Sequence, residues 1–306
     1  MRPLAFAILT LALAAVVWKH DRLKHVAVPV LKRPAELPPA APRELGETAA
    51  VKLEPIAKLG TRVTALLTAS DGTVWAGTFD RGVFRGEQQL EGNGRQQFVN
   101  ALVEHGGQVW AATYGGVLEY DLDGGYRGEQ LMGLATEALV VHRGELVAGT
   151  VRGVFRAFRP EGRALRVTSL AVNGDALWVG TPSGVYEAAG AWHPLVFGPE
   201  ASSTNVVLAL APFGGGVLAL TDNGGLVDVQ PGREVRALRF NEPRANEGNP
   251  GAALVLGDVV RFGTQGGGLL EVRGGEVVRP KGWSVPVVTA LAPGLLGDGA
   301  GNVYRL

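Results

Sequence analysis

The chain has 306 residues, carries 29 Lys and Arg against 29 Asp and Glu, and is 46% hydrophobic. A neutral chain with this apolar content is neither disordered nor fibrous. Because it has no cysteine, it has no disulfide, no thiolate metal site and no cysteine nucleophile.

Residues 1–18 predict export. One early charge is followed by an apolar run, Leu4–Trp18. The run is shorter than the ~20 residues of a membrane span and fits a secretory signal, with Ala12-Leu13-Ala14 as its cleavage site. A retained membrane anchor remains open, because basic residues follow at 19–24. A buried core helix fits less well, since no amphipathic period runs through the segment.

Residues 19–50 are rich in proline and mixed charges, which predicts an extended tether. The remaining domain, 51–306, holds 22 Lys and Arg against 25 Asp and Glu. Its mildly acidic balance, without a basic stripe, predicts no nucleic-acid partner. Membrane contact is expected only through residues 1–18.

A four-residue phrase recurs from residue 62 onward, at a mean step of about 37 residues. Its third place is always Ala or Ser and its fourth is always Leu. The copies are Val63–Leu66, Val99–Leu102, Thr136–Leu139, Val167–Leu170, Val207–Leu210, Gly251–Leu254 and Val288–Leu291.

Two further phrases follow each copy. One resembles Val74-Trp75-Ala76-Gly77-Thr78, and the other is a glycine with an apolar pair, such as Gly82-Val83-Phe84. Turn dipeptides such as Asp71-Gly72 separate them, which indicates short antiparallel strands.

Three such strands and a ragged fourth make a unit that is apolar on both faces, so it must pack against copies of itself. The period fits a propeller blade, and the fixed Ala or Ser fits an innermost strand. The sequence therefore predicts an all-β, seven-bladed β-propeller of four-stranded antiparallel blades. A linear β-solenoid is the alternative. The recurring Trp75, Trp110 and Trp178 are expected in the core rather than on a binding platform.

The seventh unit ends at Leu306 after its third strand, and Val51–Ile56 precedes the first unit without a partner. Pairing this N-terminal segment as the outer strand of the last blade closes the ring and covers an open edge. Pro55 suits such a rim position.

The string Val63–Leu66, Asp71–Thr78 and Gly82–Arg85 resembles the two-component regulator propeller repeat. The resemblance covers residues 62–306 and is strongest in units one, two and four. It implies an exported propeller, which in that family usually lies outside a membrane-spanning signalling module such as a histidine kinase. Nothing follows the propeller here, so we expect no kinase, receiver or output domain.

Turns after the second strand and connections into the innermost strand should emerge on one funnel-like face. Such a face could bind a polar ligand or a peptide segment. The candidates from the turns are Phe79, Asp80, Arg81, Tyr114, Arg152, Ser183, Asp222, Asn223 and Gln265, and those from the connections are Arg62, Asn100, Asn205, Asn249 and Trp283. The long insertion 241–250 also reaches this face. The alternative is that these residues are polar only because turns are solvated.

Enzymatic signals are weak. His105 and His142 occupy equivalent places but should face away from the funnel, and Asp121-Leu122-Asp123-Gly124 is expected to be a hairpin turn rather than a calcium loop. No catalytic residue, metal site or cofactor is predicted.

The sequence thus favours a non-catalytic propeller, exported or membrane-tethered, that binds a protein partner or a small polar ligand. Two alternatives stay open: a propeller enzyme of lyase or glycoside hydrolase type, and an extracytoplasmic sensor subunit for a separately encoded membrane signalling protein.

Overall fold

The computed structural model describes residues 44–92, 97–188, 206–233 and 235–306, all within the unit Glu36–Leu306. These residues form seven small antiparallel sheets arranged as a β-propeller, which confirms the predicted fold class. The predicted signal or anchor (1–18) and most of the predicted tether (19–50) lie outside the described residues.

Two short strands precede the blades, β1 (Gly46–Thr48) and β2 (Glu54–Lys58). Blade one contains β3 (Val63–Thr68), β4 (Val74–Thr78), β5 (Val83–Arg85) and β6 (Gln88–Gln89). Blade two contains β7 (Val99–His105), β8 (Gln108–Thr113), β9 (Gly116–Asp121) and β10 (Tyr126–Gln130). Blade three contains β11 (Thr136–His142), β12 (Glu145–Thr150), β13 (Gly153–Arg156) and β14 (Arg159–Glu161).

The described strands of blade four are β15 (Ser169–Asn173), β16 (Ala176–Thr181) and β17 (Gly184–Glu187). Blade five contains β18 (Val207–Phe213), β19 (Gly216–Thr221), β20 (Leu226–Val229) and β21 (Arg236–Leu238). A 3-10 turn, Pro243–Asn246, follows. Blade six contains β22 (Gly248–Leu256), β23 (Val259–Thr264), β24 (Leu269–Arg273) and β25 (Glu276–Pro280), and blade seven contains β26 (Val288–Ala292), β27 (Leu295–Asp298) and β28 (Asn302–Arg305).

The N-terminal segment closes the ring as the sequence predicts. Strand β2 pairs antiparallel with β28 and becomes the fourth strand of blade seven. The pairing continues where the Leu59 amide donates to the Gly301 carbonyl at 2.8 Å, and the Leu59 side chain is buried in the core. Main-chain hydrogen bonds between the two ends of the propeller therefore cover the open edge of β28.

The end of the predicted tether is more ordered than the sequence indicated. Strand β1 pairs in parallel with β25 and adds a fifth, outer strand to blade six. The Lys281 amide then donates to the Thr48 carbonyl at 3.1 Å. Three residues of mixed polarity carry little periodic signal, which is why this strand was not predicted.

Neighbouring blades pack through a close contact that accounts for the recurring Gly-Thr pair. A Cβ on Gly77 of β4 would lie 2.4 Å from Val99, the first residue of blade two's innermost strand. Between blades five and six the large and small residues are exchanged. Leu220 of the second strand fills the space beside Gly248, the first residue of blade six. Both of these interfaces therefore pair a large residue with a small one, at the packing density of a protein interior.

The threonine that ends the second strand stabilises the following turn by a hydrogen bond. In blades one to six this threonine is buried and its hydroxyl donates to the carbonyl of the glycine three or four residues later, at 2.7–3.0 Å. Asp298 takes this place in blade seven and accepts hydrogen bonds from the Ala300 and Asn302 amides. All seven turns on this face are thus held by a buried oxygen.

Trp75 and Trp178 are fully buried and Trp110 is 8% exposed, so all three belong to the core as predicted. Asp121 and Asp123 lie in the hairpin turn between β9 and β10, again as predicted. Among the described residues, no helix is long and apolar enough to span a membrane.

Ring closure can be tested by shortening the chain. We expect the 44–306 chain to melt like the full protein and the 60–306 chain to lose at least ~2–5 kcal/mol, the cost of losing a buried leucine such as Leu59 alone. Thermal and urea unfolding measure both, and the 50–306 chain, which lacks only β1, is the control. Equal stability of the 44–306 and 60–306 chains would contradict closure by β2.

Candidate functional site

In five of the seven blades, a β-bulge near the start of the innermost strand turns one side chain toward the centre of the ring. In blade one the register shifts between Val63 and Ala65, so Thr64 is left out of the ladder. Blades two, three, five and seven shift at the equivalent place, which frees Asn100, Glu137, Leu208 and Thr289. Bulges re-aim side chains in this way, often beside binding sites.

In blade six the irregularity is wider and corrects the alignment of the repeat. The shift spans Gly248 to Ala253, and Ala253 pairs with Phe262. Ala252 therefore occupies the third place of the phrase, one residue earlier than the sequence alignment had it. Asn249 lies within this bulge and is fully buried.

Several bulge residues connect one blade to the next. Thr64 donates to the Val99 carbonyl at 2.5 Å, and Asn100 donates to the Thr136 carbonyl at 2.8 Å. Asn249 makes the same contact with blade seven, and so does Thr168, at the equivalent place of blade four, with blade five. Blades three, five and seven depart from this pattern. An ionised Glu137 and the aliphatic Leu208 cannot donate, and Thr289 donates to the Gly297 carbonyl of its own blade at 3.3 Å.

A second layer above the bulges consists of rim pairs. Each rim pair joins the residue before the innermost strand to the residue after the second strand. The backbone amide of the residue after the second strand donates to the carbonyl of the residue before the innermost strand, at 2.9–3.3 Å. The pairs with this hydrogen bond are Arg62/Phe79, Phe98/Tyr114, Ala135/Val151, Val206/Asp222, Glu247/Gln265 and Val287/Gly299. In blade four the pair is Arg166/Pro182, and proline has no amide to donate.

The bulges and rim pairs enclose a cavity of about 340 Å³, which we call the funnel cavity. Its described lining contains Arg62, Thr64, Phe79, Phe98, Asn100, Tyr114, Glu137, Arg166, Thr168, Pro182, Val206, Leu208, Pro250, Gly251, Gln265 and Thr289. A narrower space of about 230 Å³ lies between the innermost strands and is lined mainly by small and aliphatic side chains. The funnel cavity has the size of a small-molecule site.

Three aromatic rings form one wall of the funnel cavity. Phe98 stacks on Tyr114 with ring centroids 4.3 Å apart and planes 6° from parallel, and Phe79 meets Phe98 edge-on at 4.7 Å. Phe79 and Tyr114 remain 48% and 49% exposed. This arrangement presents a preformed apolar surface to a bound molecule.

Arg62 contributes a half-buried cation. Its Nη2 donates to Asn249 Oδ1 at 2.5 Å, and Asn249 is held in turn by donating to the Val288 carbonyl at 2.7 Å. Burial lowers the pKa of the Arg62 guanidinium below its ordinary value, yet arginine stays charged at neutral pH.

Glu137 and Arg166, which also line the funnel cavity, form an ion pair at 3.4 Å. The Glu137 side chain is 14% exposed and that of Arg166 is 57% exposed. Burial raises the pKa of the Glu137 carboxyl, and the Arg166 charge offsets part of this rise. Burial and the Glu137 charge also raise the pKa of Tyr114, so these three side chains share one electrostatic environment.

Five of the fourteen predicted site residues line the funnel cavity: Arg62, Phe79, Asn100, Tyr114 and Gln265. Asn249 lies directly behind Arg62 and supports it. Arg152, Ser183 and Asn223 are exposed beside the turns, and Asp222 is half-buried, but none of the four is in the cavity lining. Asn205 lies outside the described residues.

Three predicted site residues make contacts within the scaffold instead. Arg81 donates to the Leu59 carbonyl at 2.7 Å and so fixes the closing segment to blade one. Asp80 accepts a hydrogen bond from Thr61. Trp283 packs against Gly268 and donates to the Val285 carbonyl at 2.5 Å. The partners of Arg81 and Asp80 lie 22 and 19 residues earlier in the chain, which the position of a turn does not reveal.

Glu137, Phe98 and Arg166 also line the funnel cavity but were not predicted, although the repeat carries a signal for each. Glu137 stands in the second place of the phrase, where blades one and four have threonine. Phe98 and Arg166 directly precede the phrase and are therefore equivalent to Arg62. All three therefore occupy places in the repeat that are equivalent to lining residues of blade one.

The two histidines in the described ranges, His105 and His142, do not line the funnel cavity. His142 is buried, with one ring nitrogen 3.0 Å from the Asp175 carbonyl and the other 3.1 Å from Arg156. Within the described part of the chain, no group of three or more His, Asp and Glu residues could hold a metal ion.

Solved structures share this fold at low sequence identity. The extracellular domain of the two-component system BT4673 from B. thetaiotaomicron superposes with a TM-score of 0.65 and 15% identity, over 84% of this chain and 42% of that chain. The corresponding domain of BT3049 gives 0.56 and 16%, over 84% and 40%. Virginiamycin B lyase from Staphylococcus aureus gives 0.61 and 12%, over 83% and 98%.

The chain thus spans less than half the length of the two sensor domains that it matches. At these identities the likeness shows the propeller fold alone. No protein-family model and no curated protein matches the sequence.

The buried carboxylate of Glu137 should make the stability of the folded protein depend on pH. Because folding raises its pKa, the ionised group costs stability above the folded pKa, and this cost disappears below the ordinary pKa of glutamate. We expect Glu137→Gln to raise the melting temperature by about 1–3 °C at pH 8 and by progressively less as the pH falls toward 4.

Thermal unfolding from pH 4 to pH 8 measures this effect, with the exposed Glu87→Gln as the control. Arg166→Gln should raise the pKa of Glu137 further, because it removes the compensating cation, and so move the loss of stability to higher pH. A gain from Glu137→Gln that does not change with pH would contradict the assigned role of burial.

Proposed function

We propose that this chain is an extracytoplasmic, non-catalytic β-propeller of the two-component regulator repeat type that binds a small polar ligand in its funnel cavity. The observation that carries the proposal is the lining itself. It combines a half-buried cation, an ion pair and an exposed aromatic wall around about 340 Å³. A concave site with a few convergent polar groups is typical of ligand binding.

Binding is favoured over catalysis by the distribution of acidic and basic groups. A propeller lyase or hydrolase needs several carboxylates, or a histidine and a carboxylate, around one reacting centre. Among the described residues that line the funnel cavity, Glu137 is the single carboxylate and there is no histidine. Glu137 is already paired with Arg166.

The extracytoplasmic location rests on the apolar segment at residues 1–18 and on the composition of the chain. The match to extracellular domains of two-component systems agrees with this location.

Ligand binding can be tested with a cavity-blocking variant. We expect that compounds from a panel of carboxylic acids, sugars, amino acids and short peptides raise the melting temperature of the protein. The same compounds should have no effect on Leu208→Trp, which fills the funnel cavity, because Leu208 donates no hydrogen bond and can be enlarged at modest cost.

The matched control is Asp175→Trp, on an exposed turn between β15 and β16, and it should respond like the unmodified protein. Thermal shift followed by calorimetry measures the effect. Equal responses of Leu208→Trp and the unmodified protein would show that binding occurs elsewhere.

Location can be tested by cell fractionation of the full chain with a C-terminal tag. We expect the protein outside the cytoplasm, and deletion of residues 1–18 should retain it inside. N-terminal sequencing separates cleavage near Ala14 from a retained anchor. Recovery of the full chain in the cytoplasm contradicts the proposal.

A further inference from the structure

Within the part of the chain that the structure describes, no acidic side chain pairs with Arg62. Among the described residues its side-chain partner is the neutral amide of Asn249, and burial lowers the pKa of its guanidinium. A partly desolvated cation is normally paired with an anion, because leaving it unpaired costs free energy. Its position in the cavity lining leaves further N–H donors directed to a bound molecule.

The other charges in the lining compensate one another. Arg166 and Glu137 form an ion pair, so the described lining carries one net positive charge. Residues 51–306 as a whole carry three net negative charges. The funnel cavity is therefore a cationic site in an acidic domain, and it favours an anion over a cation.

The net charge of the lining limits the charge of that anion. Because Glu137 and Arg166 are paired with each other, the one net positive charge of the lining balances a single negative charge and leaves a second one unbalanced. A phosphate or phosphonate dianion is therefore disfavoured, whereas a carboxylate matches the planar, bidentate geometry of the Arg62 guanidinium.

The aromatic wall indicates the rest of the molecule. The Phe79 amide donates to the Arg62 carbonyl at 3.0 Å, so the cation and the wall are neighbours on the rim. Phe79 and Tyr114 are each about half exposed, and Phe98 holds them in place by edge-on and stacked contacts. Such a wall packs best against a flat apolar ring.

We infer that the funnel cavity binds a small monocarboxylate with an apolar ring, the carboxylate on Arg62 and the ring on the wall of Phe79, Phe98 and Tyr114. This inference rests on the proposed function, since it names the ligand class of the same site. A free aromatic acid and the C-terminal aromatic residue of a short peptide share this chemistry.

The experiment compares matched probes by calorimetry and saturation-transfer NMR. Phenylacetate should bind about tenfold or more tightly than neutral phenylacetamide, ring-free acetate and dianionic benzylphosphonate. The peptide Ac-Gly-Gly-Phe and its C-terminal amide form the second arm. Tighter binding of phenylacetate indicates a free aromatic acid as the ligand, and tighter binding of the peptide acid indicates a peptide C-terminus. Either result supports the inference.

Variants separate the two contacts. Arg62→Gln should abolish the preference for phenylacetate over phenylacetamide, and Arg62→Lys should keep part of it, which guards against a folding defect. Tyr114→Ala should weaken acid and amide by similar factors. Arg152→Ala is the control, because Arg152 is an exposed cation near the same face that does not line the cavity.

Equal binding of phenylacetate and phenylacetamide overturns the inference, and so does an unchanged preference in Arg62→Gln. If no aromatic acid binds but other panel compounds bind and are lost in Leu208→Trp, the ligand class is wrong and the proposed function stands. If no panel compound binds, both fail.

Discussion

The ring depends on the close contact between each blade's second strand and the next blade's innermost strand. Gly77 accommodates Val99, and Gly149 accommodates Val167, at distances where any Cβ would clash. Every residue of β19 is buried, so a blade without its neighbour would expose apolar surface on both faces. The blades are therefore stable only as a closed set, and β2 makes the closure complete.

This packing constraint determines where the site can form. Large and small residues must match within each interface, so the interfaces tolerate paired changes such as Leu220 with Gly248 but not single ones. The bulge positions and rim pairs have no such partner in the core. A charged residue such as Glu137 can stand there without disturbing the ring, which is why the funnel cavity carries the chemical differences between otherwise similar blades.

The periodic parts of the structure could be predicted from the sequence, because strand spacing, turn glycines and buried Trp75 repeat at a fixed interval. Ring closure could also be predicted, since Val51–Ile56 had no partner and the last blade lacked a strand. The wide bulge of blade six could not, because it breaks the period. The scaffold contact of Arg81 with Leu59 depends on a partner 22 residues away, which no local pattern encodes.

A symmetric ring would present seven similar positions around its axis, and such a surface has little power to orient one ligand. Thr64 and Asn100 satisfy the ring itself by donating to the next blade. Glu137 and Leu208 break this pattern, and the aromatic wall occurs only in blades one and two among the described rim pairs. Because the cation and the wall lie in blades one and two and the ion pair lies in blades three and four, a bound molecule has one preferred orientation, and specificity follows from the loss of symmetry.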